Sequence, residues 1–319
     1  MERKETPYAF AYNPMYPADE EPIGKEEFER IAPSVRHVLD VQEIEDLYDM
    51  LVKAVRKFDQ IFFRHADLAR FENGSVERFH QKRQEINNAS VEVFSILQMF
   101  LDYQANNQRV ESDLVPKLKD DLSVKKCKAL RNYLQHVGTF PLVIITQSMI
   151  CAERVDFSSV RFTMKREAFE LEKLEAPTRR SFESVFPAGT DIDLYEIVCR
   201  GFDAITQFVV EVRNLPYFCN EYDECAEFLM SISDRTWKKS FLTLRFADGK
   251  NREGDDRLMP YLAETNIERI TDLRSRYRCR PISEIYVTNA PERFLKDCKN
   301  TFFTPEASKR RFSHRAYPQ

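Results

Sequence analysis

Apolar residues recur at three- and four-residue steps along most of the chain, the period of a helix with one buried face. From Val38 onward, Val41, Ile44, Leu47, Leu51, Val55, Phe58 and Phe62 predict a first long helix. Asn73-Gly74-Ser75 breaks it, with Ser75 placed to cap the next one. That second helix carries Val76, Phe79, Ile86, Val91, Phe94, Leu97 and Leu101, with Asn87-Asn88 as the place for a kink. Two long amphipathic helices joined by a short turn form an antiparallel pair, and its apolar stripe needs further helices to cover it. A third helix is expected from about Ser123: Leu130, Tyr133, Leu134 and Val137 make a complete stripe, Gly138 suits a C-terminal cap and Pro141 forbids continuation.

The pattern then shortens. Residues 142–146 and 160–164 are β-favouring, so 141–171 reads as a hairpin or small sheet. Helical periodicity returns over about 192–214 and 219–238; beyond Trp237, residues 241–246 and 285–287 read as strands and 267–278 as a helix. The expected fold is mainly α, an antiparallel helical bundle with an inserted β-hairpin and a small α+β C-terminal region. The expected organisation is an extended arm at 1–24, a helical domain at 25–240 with the hairpin inserted at 141–171, an α+β appendage at 241–304 and a basic tail at 305–319.

Hydrophobic residues make up 43% of the 319, which argues for a folded chain, and a net charge of -4 argues against a protein that coats nucleic acid non-specifically. Seven glycines form neither a dinucleotide fingerprint nor a phosphate-binding loop. Seven cysteines without a Cys-x-x-Cys pair, and no apparent signal peptide, imply reduced thiols, a cytoplasmic location and cysteines acting as small buried hydrophobes. Nothing approaches a run of about 18 apolar residues, so no membrane partner is expected.

The third helix holds the strongest candidate chemistry, Arg131-Asn132-Tyr133-Leu134-Gln135-His136. Asn132 and His136, four apart, share a face, while Arg131 must reach that face from the side. Lys125, Lys126 and Lys128 precede them as candidate RNA-binding residues, with Lys117 and Lys119 upstream. Neutral imidazole, with an ordinary pKa near ~6.5, suits removal of a proton from a ribose 2′-hydroxyl. Guanidinium is always charged and matches a phosphoryl group with its fork of donors. Asn132 would hold the arginine or the imidazole in place. This logic needs no cofactor and no metal, and DNA, lacking the nucleophile, would not be cut.

These residues resemble the Arg-x4–6-His signature of the HEPN superfamily, in the form with Asn directly after Arg. The order of two long helices and a shorter motif helix is also similar to that family's bundle. The resemblance covers a third to a half of the chain; the hairpin and everything after 215 lie outside it. Gly138 stands where one toxin subgroup has a tyrosine. The resemblance implies a metal-independent endoribonuclease of the toxin, abortive-infection or antiviral defence type. It further implies a homodimer that brings Arg131 and His136 to a shared cleft, and an antitoxin or sensor protein as partner.

Other features read as structural. Arg30 and His37 also satisfy the motif spacing, but they bracket Pro33 ahead of the first periodic helix. His37, His65, His80 and His314 lack a partner at metal-ligand spacing, and the acidic clusters read as solvated loops and helix starts. Arg274, Arg276, Arg278 and Arg280 would form a cationic edge only if extended. The alternative function is a non-catalytic helical module that binds RNA or protein through the same polar face.

Overall fold

Burial sets where the first helix begins. In the computed structural model, α1 spans Lys25–Leu68 and passes through Pro33 rather than starting at Val38. An interior proline costs a helix about 3 kcal/mol. Here Pro33 is on the exposed side, while Ile31, Val35 and Val38 continue the buried stripe inward and offset that cost. The structure describes residues 8–11, 20–68, 76–107, 109–110, 113–151, 154–232, 243–246 and 264–276.

The remaining elements are β1 (Tyr8–Ala11), β2 (Glu20–Ile23), α2 (Val76–Asn106), α3 (Leu114–Asp120), α4 (Leu122–Val137), β3 (Val143–Cys151), β4 (Arg154–Lys165), α5 (Ala176–Val185), β5 (Asp191–Asp193), α6 (Leu194–Arg213), α7 (Asn220–Ser231), β6 (Thr243–Phe246) and α8 (Glu264–Arg276). The protein is mainly helical, as expected, with a β-hairpin after the third long helix. α2 is one continuous helix through Asn87-Asn88. Both α3 and α5 are absent from the periodicity reading, being too short to repeat a stripe; α5 does carry a start signal, Pro177 in its first turn. The strand expected at 285–287 and the basic tail lie outside the described residues.

Two compact units divide the chain, one drawn from Met1–Asp46 and Glu211–Arg278, the other from Leu47–Val210 and Cys279–Gln319. In the first, β1 is the middle strand of an antiparallel sheet, pairing Tyr8 with Ile23 of β2 and with Phe246 of β6. Part of the expected arm is therefore sheet, paired to the strand expected in the C-terminal appendage. In this unit α8 buries Ile267, Ile270 and Leu273. Its Arg274 donates to Glu45 (3.0 Å) and to the Phe218 carbonyl (2.8 Å), so this arginine is an internal anchor rather than part of a cationic edge.

In the second unit, Lys57 pairs with Glu92 and Arg64 with Glu85, so α1 and α2 run antiparallel. Phe58, Phe62, Phe94 and Phe100 fill the core with Phe162 of β4 and Phe208 of α6. β3 pairs with β4 from Val143↔Thr163, and β4 with β5 from Thr163↔Asp193. α4 packs against α2, α3 and α5. It also approaches α6 closely at Gly201, where a Cβ would collide with Cys127 Sγ. No described helix is long and apolar enough to cross a membrane.

Candidate active site

The motif helix is capped at both ends. Asp121 caps it, just ahead of the expected start near Ser123: its carboxylate accepts from the N–H groups of Ser123 (2.8 Å) and Val124 (3.2 Å). At the other end Gly138 takes φ 95°, a value glycine adopts readily, and its N–H donates to the Leu134 carbonyl at 2.8 Å. Between the caps, Val124, Cys127, Leu130, Tyr133 and Leu134 face inward.

Tyr133, inside the motif, belongs to the core. Its ring stacks on Phe140 and meets Phe169 edge-on at 4.6 Å, and its hydroxyl accepts a long bond (3.4 Å) from the Glu170 N–H. Burial pushes its phenol above the ordinary range, so the hydroxyl stays protonated near neutrality. Burial likewise raises the Cys127 thiol, whose Sγ donates to the Ile197 carbonyl at 3.5 Å. Cys199 is also buried, but Cys219 and Cys225 are half-exposed and so depart from the expected burial of every cysteine.

The polar side of α4 carries the candidates. At about 100° per residue, Lys125, Lys128, Asn132 and His136 fall on one stripe, with Arg131 to one side and Lys126 to the other. Arg131 does reach round: its Nη1 donates to Asn132 Oδ1 at 3.2 Å, although adjacent helical residues do not naturally face each other. Its Nε is buried and without a hydrogen-bond partner. Of the two roles open to Asn132, the structure gives it the arginine rather than the imidazole. His136 is exposed on the last turn. The lysines are unequal: Lys125 pairs with Asp120 at 2.9 Å, Lys126 is half-buried off the stripe, and Lys128 is exposed one turn before Asn132.

The competing Arg30–His37 match lies inside α1 and is consumed by packing. Arg30 covers the Phe228 ring, and His37 stacks on Tyr217 while its Nε2 donates to the Tyr217 carbonyl at 2.5 Å. His65 is buried, with Nε2 3.1 Å from Glu85 Oε2, whereas His80 is exposed; His314 lies outside the described residues. No group of three His, Cys, Asp or Glu side chains among the described residues is placed to hold a metal ion.

Two contacts at the end of α4 were not legible in the sequence. Asn87 Oδ1 accepts from the Phe140 N–H (3.2 Å), and Arg83 Nη2 donates to the Phe140 carbonyl (3.1 Å). The sole local signal was Asn87-Asn88, which reads as a kink. No family model matches the chain, nor does any curated protein or solved structure.

Proposed function

We propose that the chain is a metal-independent endoribonuclease of the HEPN type, a toxin or defence effector that works as a homodimer. The observation that carries the reading is the Arg131–Asn132 hydrogen bond with His136 exposed one turn further along the same face. That arrangement holds a guanidinium by its neighbour while leaving an imidazole accessible at a helix end.

In this reading a substrate phosphate lies across the α4 face with Arg131 and Lys128 as its cations. His136 takes the proton from the ribose 2′-hydroxyl, whose oxygen attacks the adjacent phosphorus. The 5′-oxygen leaves and is protonated in turn, yielding a 2′,3′-cyclic phosphate. Arg131 stabilises the charge growing on the non-bridging oxygens, and Asn132 fixes its guanidinium. A second copy meeting this face across a two-fold axis would supply the second imidazole that separate base and acid roles require. An antitoxin or sensor protein would cover the same face to hold the activity silent.

The test is cleavage of single-stranded RNA in EDTA. The wild type is expected to leave cyclic or 3′-phosphate ends and to spare an oligomer with a 2′-deoxy nucleotide at the cut. His136→Ala and Arg131→Ala should each abolish cutting while leaving the circular-dichroism melt unchanged, because neither side chain is core. Cutting by His136→Ala at the wild-type rate would refute the mechanism.

A second reading has an observation of its own. Among the described residues His136 has no hydrogen-bond or ion-pair partner to orient its imidazole. A non-catalytic face that binds RNA or protein needs no such partner. Salt-sensitive RNA binding without cleavage, lost in Lys128→Ala and kept in His136→Ala, would favour it.

A further inference from the structure

Two residues past the α4 cap, the chain is held in an unusual way. Phe140 is wholly buried although it lies in no regular element, and a buried main-chain N–H and C=O must both find partners. In sheets and helices the backbone supplies them. Here two side chains from α2 do so, Asn87 to the N–H at 3.2 Å and Arg83 to the carbonyl at 3.1 Å. The two lie four apart and so on one face of α2. The ring of Phe140 completes the attachment, with Phe94 of α2 edge-on at 6.3 Å and Tyr133 of α4 stacked at 6.2 Å.

This attachment lies at the place where α4 is weakest. Helix ends fray because their last carbonyls lack intrahelical donors, and the Gly138 cap satisfies that of Leu134. His136 occupies that last turn, and its imidazole projects into solvent with no described group to steady it. Whatever order His136 has must therefore come from its backbone, and its backbone is tethered by the chain leaving the helix. Proton transfer is steeply sensitive to such order, since a displacement of about 1 Å costs on the order of a hundredfold in rate.

We infer that Asn87 and Arg83 are positioning residues for His136: by clamping both main-chain groups of Phe140 they hold the last turn of α4 and with it the imidazole. Asn87, at 7% exposure, is too buried to meet an RNA strand and acts through the clamp alone. The inference rests on the ribonuclease reading for its kinetic consequence, while the clamp itself is independent of it.

The experiment compares wild type, Asn87→Ala, Asn87→Asp and, as control, Asn88→Ala, whose side chain is exposed on the neighbouring position. Amide hydrogen exchange is read over residues 135–139 and over α6, and RNA cleavage is followed in the same preparations. Asn87→Ala should exchange at least about tenfold faster over 135–139, with α6 unchanged. It should lose on the order of a hundredfold in kcat with little change in KM, and the pH profile should keep its shape because the titrating group is retained. Asn87→Asp keeps an oxygen for the Phe140 N–H and should recover most of both properties; Asn88→Ala should match wild type.

Wild-type exchange over 135–139 in Asn87→Ala overturns the clamp, whether or not RNA is cut. Faster exchange with unchanged kcat overturns its link to His136. Absence of cutting by the wild type overturns the ribonuclease reading instead, and the exchange data still decide the clamp.

Discussion

Tyr133 lies between Arg131 and His136, and its substitution should separate what the motif does for the fold from what it does on its surface. The ring is 1% exposed and touches Phe140, Phe169 and Phe182 at centroid distances of 6.2, 4.6 and 6.0 Å. Removing a buried aromatic ring of this kind costs about 3–5 kcal/mol, the lost transfer energy plus the cavity left behind. The hydroxyl matters less. Its bond to the Glu170 N–H is 3.4 Å long, beyond the usual N–H···O range, and that N–H is only partly buried, so water replaces the partner. Tyr133→Phe should therefore cost no more than about 0.5 kcal/mol, the low end for a hydrogen bond. Urea unfolding followed by circular dichroism measures both; for Tyr133→Ala the loss corresponds to a drop of roughly 6–20 °C in Tm. Because the phenol is held protonated, Tyr133→Phe should also leave RNA cleavage and its pH profile unchanged. Equal destabilisation by Phe and Ala would refute the assignment of the ring, rather than the hydroxyl, as the stabilising part. A folded Tyr133→Phe without activity would refute the separation of core from site.

Four other perturbations probe the packing of the fold. Gly201→Ala should destabilise by about 1–2 kcal/mol despite alanine's better helix propensity, because its Cβ meets Cys127 Sγ, and Cys127→Ala in the same chain should relieve most of that loss. Glu45, 2% exposed, accepts from Arg213 at 2.6 and 3.0 Å and from Arg274 at 3.0 Å; Glu45→Ala should cost about 3–5 kcal/mol by stranding two half-buried cations. Lys57→Ala, which breaks an exposed pair with Glu92, should cost less than about 1 kcal/mol in the same denaturation assay. Burial pulls the His65 imidazole below its ordinary 6.5, opposed by the nearby Glu85 carboxylate. The unfolded chain therefore binds the proton more readily, so His65 leaves stability flat above that value and lowers it as pH falls below it. Melts between about pH 7.5 and about pH 5 should show a shallower loss in His65→Gln than in wild type; parallel curves would count against the shift.

Much of the helical frame could be read directly from the order of residues. The stripe of α4, its glycine cap and the switch to β-favouring residues after Pro141 are local signals. They survive in the structure because their physics acts over a few residues: period, φ at one glycine, a missing N–H at one proline. The shared face of Asn132 and His136, and the sideways reach of Arg131, follow from the same geometry. What the sequence left open was everything set by partners distant in the chain. Pro33 was read as lying ahead of the first helix, but burial of Ile31 and Val35 carried α1 through it. Arg274 was read as one of a cationic series, yet Glu45, 229 residues away, decides its role. Asn87 looked like a kink and instead grips Phe140, 53 residues on. Helical period determines which side chains share a face; desolvation and hydrogen-bond satisfaction determine which of them are spent on the core. The stripe already placed Tyr133 on the inward side; only the tertiary structure could show that its ring packs on Phe140, Phe169 and Phe182 and that His136 is left at the surface.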